Sequence, residues 1–254
     1  MGFGELDGDE YIQSLARGLS VIRAFAPGRE KLTMAQVAAA CDLTRAGARR
    51  ILLTLQNLGY VEMDGRHFSL TSRILELSQG YLGRSLWQKA APILEAVVAE
   101  LNETASAGVL EGFDIVYTLR VRSPRLLHLE LQPGAHLPAH ASSLGRVLLA
   151  GMHRNDLERY LRQAEFRRYT PRTVADPEVL CASLDQVRTQ GWCHLEGEID
   201  EAVSGVAVPL VDRDGNTIAG LSIGTNTARA TPDFVLGRAV PALQAAAQHI
   251  ATLI

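Results

Sequence analysis

Residues 33–70 read TMAQVAAACDLTRAGARRILLTLQNLGYVEMDGRHFSL, and the periodicity of this stretch decides the fold of the first part of the chain. Thr33 stands as an N-cap before MAQVAAAC, and Asp42-Leu43-Thr44 turns the chain into a second helix, RAGARRILLTLQNLG. In that helix Ala48, Ile51, Leu52 and Leu55 share one face, while Ala46, Arg49, Arg50 and Asn57 project from the other. Gly59 closes it. YVEMDGRHFSL then holds two short β-prone runs around Asp64-Gly65, a strong short-range hairpin signal. Two helices joined by a short turn and followed by a hairpin predict a winged helix-turn-helix.

Upstream, SLARGLSVIRAF (14–25) places Leu15, Leu19, Ile22 and Phe25 at helical spacing, and Pro27-Gly28 stops this amphipathic helix. Downstream, TSRILELSQGYL (71–82) is again helical and is predicted to leave the wing as a linker. A length of 254 residues suits two domains. The predicted boundaries are 11–70 for the winged helix, 71–84 for the linker helix and 85–254 for a larger domain. In the latter a long helix spans 86–102, and ASAGVLE, DIVYTLRVR and RLLHLEL read as an antiparallel meander turning at Gly112-Phe113 and Ser123-Pro124. Helices follow near 143–152, 154–163 and 176–190. SGVAVPLVD and TIAGLSIGT flank the turn Arg213-Asp214-Gly215-Asn216, and a helix from Asp233 to Ile254 ends the chain. Helices around an antiparallel sheet make the fold class α+β.

Hydrophobic residues at 47% and charged residues at 21% exclude a disordered chain. The net charge of −3 is unevenly placed. Residues 1–10 carry four acids and no base, residues 11–84 carry ten bases against five acids, and the remainder carries 15 against 19. A basic segment beside an acidic one fits a DNA-contacting module joined to a domain that does not touch DNA. No run approaches about 20 apolar residues, and the acidic start is unlike a signal peptide, so a cytoplasmic protein without a membrane partner is expected. Cys41, Cys181 and Cys193 are read as free thiols. Neither Cys181, Cys193 and His194 nor His136 and His140 have compact zinc-ligand spacing, and no metal or cofactor is expected.

The segments SLARGLSVIRAF, RAGARRILLTLQNLGYV, DGRHFSLTSRILELSQGYL, LPAHASSLGRVLLAGM and VAVPLVDRDGNTIAGLSI carry a family resemblance that runs nearly end to end. The chain resembles the IclR family of transcription regulators, and within it the β-ketoadipate-pathway branch of PcaR, PcaU and PobR type. The resemblance implies a GAF-like effector-binding domain after the linker, and dimers that assemble further into tetramers. It also implies double-stranded DNA with an inverted-repeat operator, a small carboxylate effector and the transcription machinery as partners. Regulators of that branch respond to aromatic acids or β-ketoadipate-type dicarboxylates and control aromatic-compound catabolism. Where the branch usually has Asp-Gln-Glu-Leu-Glu followed by Gly-Leu-Arg, this chain has Glu196-Gly197-Glu198-Ile199-Asp200 and then Val203-Ser204-Gly205, so a different pocket edge is expected.

Thr44, Arg45, Arg49 and Arg50 open the second helix of the motif, whose N-terminal part enters the major groove in helix-turn-helix proteins. Arg49 and Arg50 are the stronger base-reading candidates, because arginine can donate two hydrogen bonds to guanine, while Arg45 lies nearer the core flank. Arg66 and His67 on the wing, and Arg17 on the first helix, are candidate phosphate contacts. In the second domain PAHASSLGR (138–146) runs from a loop into a helix start, where free N–H groups favour a carboxylate. Ser142 and Ser143 supply hydroxyls there, and Gly145 is expected to leave room for a ligand. The plain alternative is that a serine caps the helix.

By resemblance, Ser222 on the later strand, Leu144 beside the serines, and Glu198 and Gly205 at the departing edge join the effector pocket. Arg120 is a candidate carboxylate partner. Strict alternation puts Arg120 and Arg122 on one strand face and Tyr117 on the other, without saying which face is inward. Gly220-Leu221-Ser222-Ile223-Gly224 also matches G-x-S-x-G, with Asp233 and His249 following in serine-hydrolase order. That rival needs an abrupt strand-to-helix turn at Ser222, whereas the residues around it read as a continuous strand. A pure oligomerisation module would not need the basic helix face. The expectation is a regulator, not an enzyme.

Overall fold

The computed structural model describes residues 11–78, 86–124 and 131–254. The chain divides into two compact units between residues 84 and 85. In the first, α1 (Gln13–Ala24), α2 (Met34–Ala40) and α3 (Arg45–Asn57) pack with β1 (Leu32–Thr33), β2 (Val61–Asp64) and β3 (His67–Leu70), an antiparallel sheet in the order β1-β3-β2. Thr33 caps α2 through a capping box: its hydroxyl accepts from the Gln36 N–H, and the Thr33 N–H donates back to Gln36 Oε1 at 2.8 Å. Thr44 caps α3 by accepting from the Gly47 N–H at 3.1 Å. Such a cap contributes about 1 kcal/mol. Val21, Val37, Ala48, Leu52, Leu55, Val61 and Phe68 form the core of the unit.

Three details depart from the sequence expectation. Val21 is the fully buried residue of α1, while Leu15 and Leu19 stay 59% and 50% exposed. The helix has apolar residues on two sides, and spacing does not say which side packs. The wing's two-residue loop is Gly65-Arg66, closed by the pair Asp64 and His67, one residue later than expected. Gly65 sits at φ +60° in the first central position, where a II′ turn takes glycine. Beyond the wing, Ser72–Ser78 form a 3-10 helix, and the rest of the expected linker helix lies outside the described residues.

In the second unit the elements are α4 (Leu86–Leu101), β4 (Thr104–Glu111), β5 (Asp114–Val121), β6 (His136–Pro138), α5 (Ser143–Ala150), α6 (Arg154–Gln163), α7 (Pro177–Gln190), β7 (Cys193–Glu196), β8 (Val203–Val211) and β9 (Thr217–Asn226). A turn at Pro232–Phe234 and a π-helical segment at Val235–Ala239 then lead into α8 (Val240–Ala251). The strands form one antiparallel sheet in the order β6-β5-β4-β9-β8-β7. The expected strand at 125–131 falls, except for Leu131, outside the described residues. Leu94, Leu101, Leu221, Ile223, Leu243 and Ile250 pack α4 and α8 on one sheet face, while Leu144, Leu149, Leu157, Leu180 and Leu184 pack α5, α6 and α7 on the other. Both layers make the α+β fold. All three cysteines are free thiols, and burial pushes Cys193 up to about 12.

The hairpin of β4 and β5 carries a bulge. Ala107 pairs with Leu119 but Gly108 pairs with Tyr117, leaving Thr118 as the extra residue on β5. Alternation reverses across it: Ile115 and Tyr117 face α5, whereas Leu119 and Val121 pack toward α4 and α8. Arg120 therefore shares a face with Tyr117, contrary to the strict alternation read from sequence, and Arg122 is exposed.

Candidate DNA-binding surface and effector cavity

The burial of Ala48, Leu52 and Leu55 in α3 turns Arg45, Arg49 and Arg50 outward. All three are exposed and have no ion-pair partner among the described residues. Unpaired arginines along one helix are available to an external anion, and their planar forks suit phosphate and base edges alike. Arg50 and Arg17 line one cleft of about 540 Å³ between α1 and α3, together with Gln13, Ser14 and Thr44. Arg66 is exposed at the wing tip. His67 is half-buried and is the ladder partner of both Asp64 and Thr33, which leaves it less free than Arg66. Lys31, a cation the sequence reading passed over, lies 3.5 Å from Asp64 in an exposed ion pair of little energetic weight.

In the second unit a cavity of about 70 Å³ lies between the start of α5 and the sheet. Seven of the eight expected pocket residues line it: Arg120, Ser142, Ser143, Leu144, Glu198, Gly205 and Ser222. Gly145 does not. A Cβ there would collide with the backbone of Ala139, so this glycine makes room for the chain and not for a ligand. Ser142 caps α5, its hydroxyl accepting from the Gly145 N–H at 3.0 Å, which satisfies the plain alternative for that serine. Gly205 serves Ser143: a Cβ there would approach Ser143 Oγ to 2.6 Å.

Three strands align polar side chains under the cavity. Ser106 on β4 is the register partner of Ser222 on β9 and of Arg120 on β5, and Arg120 Nη1 donates to Ser106 Oγ at 3.1 Å. The Arg120 guanidinium lies 5.4 Å from the Tyr117 ring centroid, and its buried Nε has no hydrogen-bond partner. Burial pulls Arg120 below the ordinary arginine value, as it pushes the Tyr117 hydroxyl up. Arg120 is thus a half-buried cation with a vacant donor and no carboxylate among its described contacts.

Glu198 is held differently. Arg146 Nη2 donates to both of its oxygens at 2.9 and 2.7 Å, while Arg146 Nε donates to the His140 carbonyl at 2.9 Å and Nη1 to Ser183 at 2.8 Å. The Val174 N–H also donates to Glu198, and Thr173 donates to the Glu198 carbonyl. Sequence reasoning gave no role to Ser106 or Arg146. Arg146 stands one helical turn after Ser143, a spacing that places both on the same stretch of α5.

Ser222 lies inside β9, paired on both sides, with no strand-to-helix turn. His249 is on α8, whose apolar side packs with Leu221 and Ile223 on the sheet face opposite Ser222. The hydrolase alternative is therefore not supported. Among the described residues, no helix is long and apolar enough to cross a membrane.

Residues 81–252 match the family model described as bacterial transcriptional regulator IclR C-terminal, and residues 14–65 match the IclR helix-turn-helix domain. The chain is 40% identical over 243 residues to the Pca regulon regulatory protein of Pseudomonas putida, covering 95% of this chain and 84% of that protein. It is 33% identical over 256 residues to the p-hydroxybenzoate hydroxylase transcriptional activator of Acinetobacter baylyi, covering 98% and 94%. An IclR homolog from Microbacterium hydrocarbonoxydans, solved as a complex with 4-hydroxybenzoate, superposes with a TM-score of 0.84 at 28% identity over 94% of this chain and 98% of that one. These relatives are regulators, not enzymes. With both of its units matched, the chain belongs to the IclR family of DNA-binding transcription regulators.

Proposed function

We propose that the chain regulates genes of aromatic-compound catabolism from the cytoplasm, as a dimer or dimer of dimers on an inverted-repeat operator, under control of a small organic carboxylate. Arg49 and Arg50 of α3 read base edges, with Thr44 and Arg45 beside them, while Arg17, Arg66 and His67 hold phosphate. The exposed, unpaired state of the α3 arginines supports this assignment. The effector, an aromatic acid or a dicarboxylate, enters the cavity and sets its carboxylate against Arg120, Ser222 and the hydroxyls at the start of α5.

The observation that carries the effector reading is the vacant Nε of half-buried Arg120 above a polar row in an otherwise apolar cavity. A guanidinium so placed accepts a carboxylate in bidentate fashion. The 4-hydroxybenzoate complex of the Microbacterium relative supports the same class of ligand. The test is a thermal-shift screen of aromatic acids and dicarboxylates, followed by operator titrations with each hit. A ligand at 100 times its Kd stabilises the fold by about 2.7 kcal/mol. No stabilising acid, or a hit whose effect survives Arg120→Gln, would remove the cavity from the signal.

A further inference from the structure

The charge balance of the cavity narrows the class of acid, on the premise that a carboxylate binds at Arg120 as proposed above. Among the described lining residues, Arg120 and Glu198 are the charged ones. Glu198 is matched from behind by Arg146, whose Nε, Nη1 and Nη2 are each committed to protein acceptors. Oε2 of Glu198 is occupied further by the Val174 N–H at 3.0 Å. This pair is complete and offers an incoming anion nothing. Arg120 remains, with one hydrogen bond to Ser106 and one buried donor unfilled. The described wall thus has a surplus of one positive charge.

The rest of the described lining is uncharged. Leu131, Leu137, Leu144, Leu195, Ile199 and Val203 supply aliphatic walls, and Ser142, Ser143 and Ser222 supply hydroxyls. One carboxylate is matched by Arg120. A second would stand in a cavity that already contains the Glu198 carboxylate, without a counter-ion among the described lining residues, and an unpaired buried charge is strongly unfavourable. A neutral hydroxyl or carbonyl at the same place meets serine hydroxyls instead. We propose that the cavity selects a monocarboxylate with an uncharged body and discriminates against dicarboxylates.

The test is calorimetric titration of the full chain with 4-hydroxybenzoate, adipate and monomethyl adipate at neutral pH. Monomethyl adipate keeps the adipate skeleton and removes one charge. Both monoanions are expected to bind at least tenfold more tightly than adipate; adipate binding as tightly as its monoester overturns the inference. Arg120→Gln separates this failure from that of the carboxylate reading. If the variant loses whichever acid the parent binds, the carboxylate reading stands even where adipate wins. If no acid binds the parent, or the variant binds unchanged, that reading falls and the selectivity inference falls with it. Arg120→Lys, which retains the charge, is expected to keep the preference for the monoester at reduced affinity, and a preference for adipate in that variant also overturns the inference.

Discussion

Arg146 and Glu198, 52 residues apart in the chain, form an ion pair in which Nη2 of Arg146 donates to both carboxylate oxygens, with side chains only 3% and 8% exposed. The pair ties α5 to the segment between β7 and β8. Removing one partner leaves the other charge buried, so Arg146→Met or Glu198→Leu should each destabilise the protein by about 3–5 kcal/mol. The double substitution should recover much of that loss. Urea melts of the three variants check this; single variants within about 1 kcal/mol of the parent would show that solvent reaches the pair.

On DNA, Arg49→Ala and Arg50→Ala should each weaken operator binding by about 1–3 kcal/mol and relax base preference. Arg66→Ala at the wing tip should lower the slope of log K against log salt by about one unit while keeping the preference. Fluorescence anisotropy across a salt series distinguishes the two effects. An unchanged slope with altered base preference would move Arg66 from phosphate to a base edge.

For signal reception, Ser143→Ala should diminish the effector response and leave ligand-free operator affinity nearly intact. Gly145→Val acts otherwise than a filled pocket would, since its side chain meets the Ala139 backbone and displaces the start of α5. It should lower stability as well as the response. Paired thermal melts and operator titrations, with and without an identified effector, check both; a Gly145→Val protein of parental stability would contradict the packing described.

Burial is the leading cause that holds His140 and His194 below the ordinary histidine value of 6.5. His140 Nε2 donates to the Arg167 carbonyl at 3.0 Å, and His194 Nε2 pairs with the Ser204 hydroxyl at 2.9 Å. Above about pH 6.5 both states are neutral and neither histidine makes stability pH-dependent. As pH falls from there, the unfolded chain takes up protons first, and stability is lost down to the lowered folded values. The melting temperature should fall across that window, and His194→Gln should reduce the fall. A parent melting curve independent of pH from about 7.5 to 5 would rule out the effect.

The residues that announce themselves locally were legible without coordinates. Thr33 and Thr44 are caps followed by helical periodicity, and both cap the helices they precede. Six of the seven lining residues are legible from a helix start and from likeness to a family, and Arg120 from the match of a guanidinium to a carboxylate. What escaped reading depends on partners distant in sequence. β1, β6 and β7 are short and gain strand character only from their neighbours in the ladder. Ser106 matters because the register sets it beside Arg120 and Ser222. Arg146 matters because Glu198 folds back onto it. Strict alternation separates Tyr117 from Arg120 because it does not count Thr118 as an extra residue, which composition does not reveal.

That added residue makes the aim of the cavity's cation a matter of counting. Because side chains alternate with a period of two, Arg120 shares a face with Tyr117, at this chain length, only while Thr118 is bulged out. Drawn into a regular strand at the same length, the segment would turn the guanidinium toward the α4 and α8 layer and Leu119 and Val121 toward the cavity. A deletion of one residue between Tyr117 and Arg120 would instead straighten the strand and keep the guanidinium in place. A substitution at Arg120 changes what the cavity binds. Loss of the bulge at unchanged length would abolish the cavity's charge and put a cation into the neighbouring core in the same step. Point changes around the wall can therefore alter ligand preference, whereas the cation keeps its aim only while Thr118 is bulged or absent.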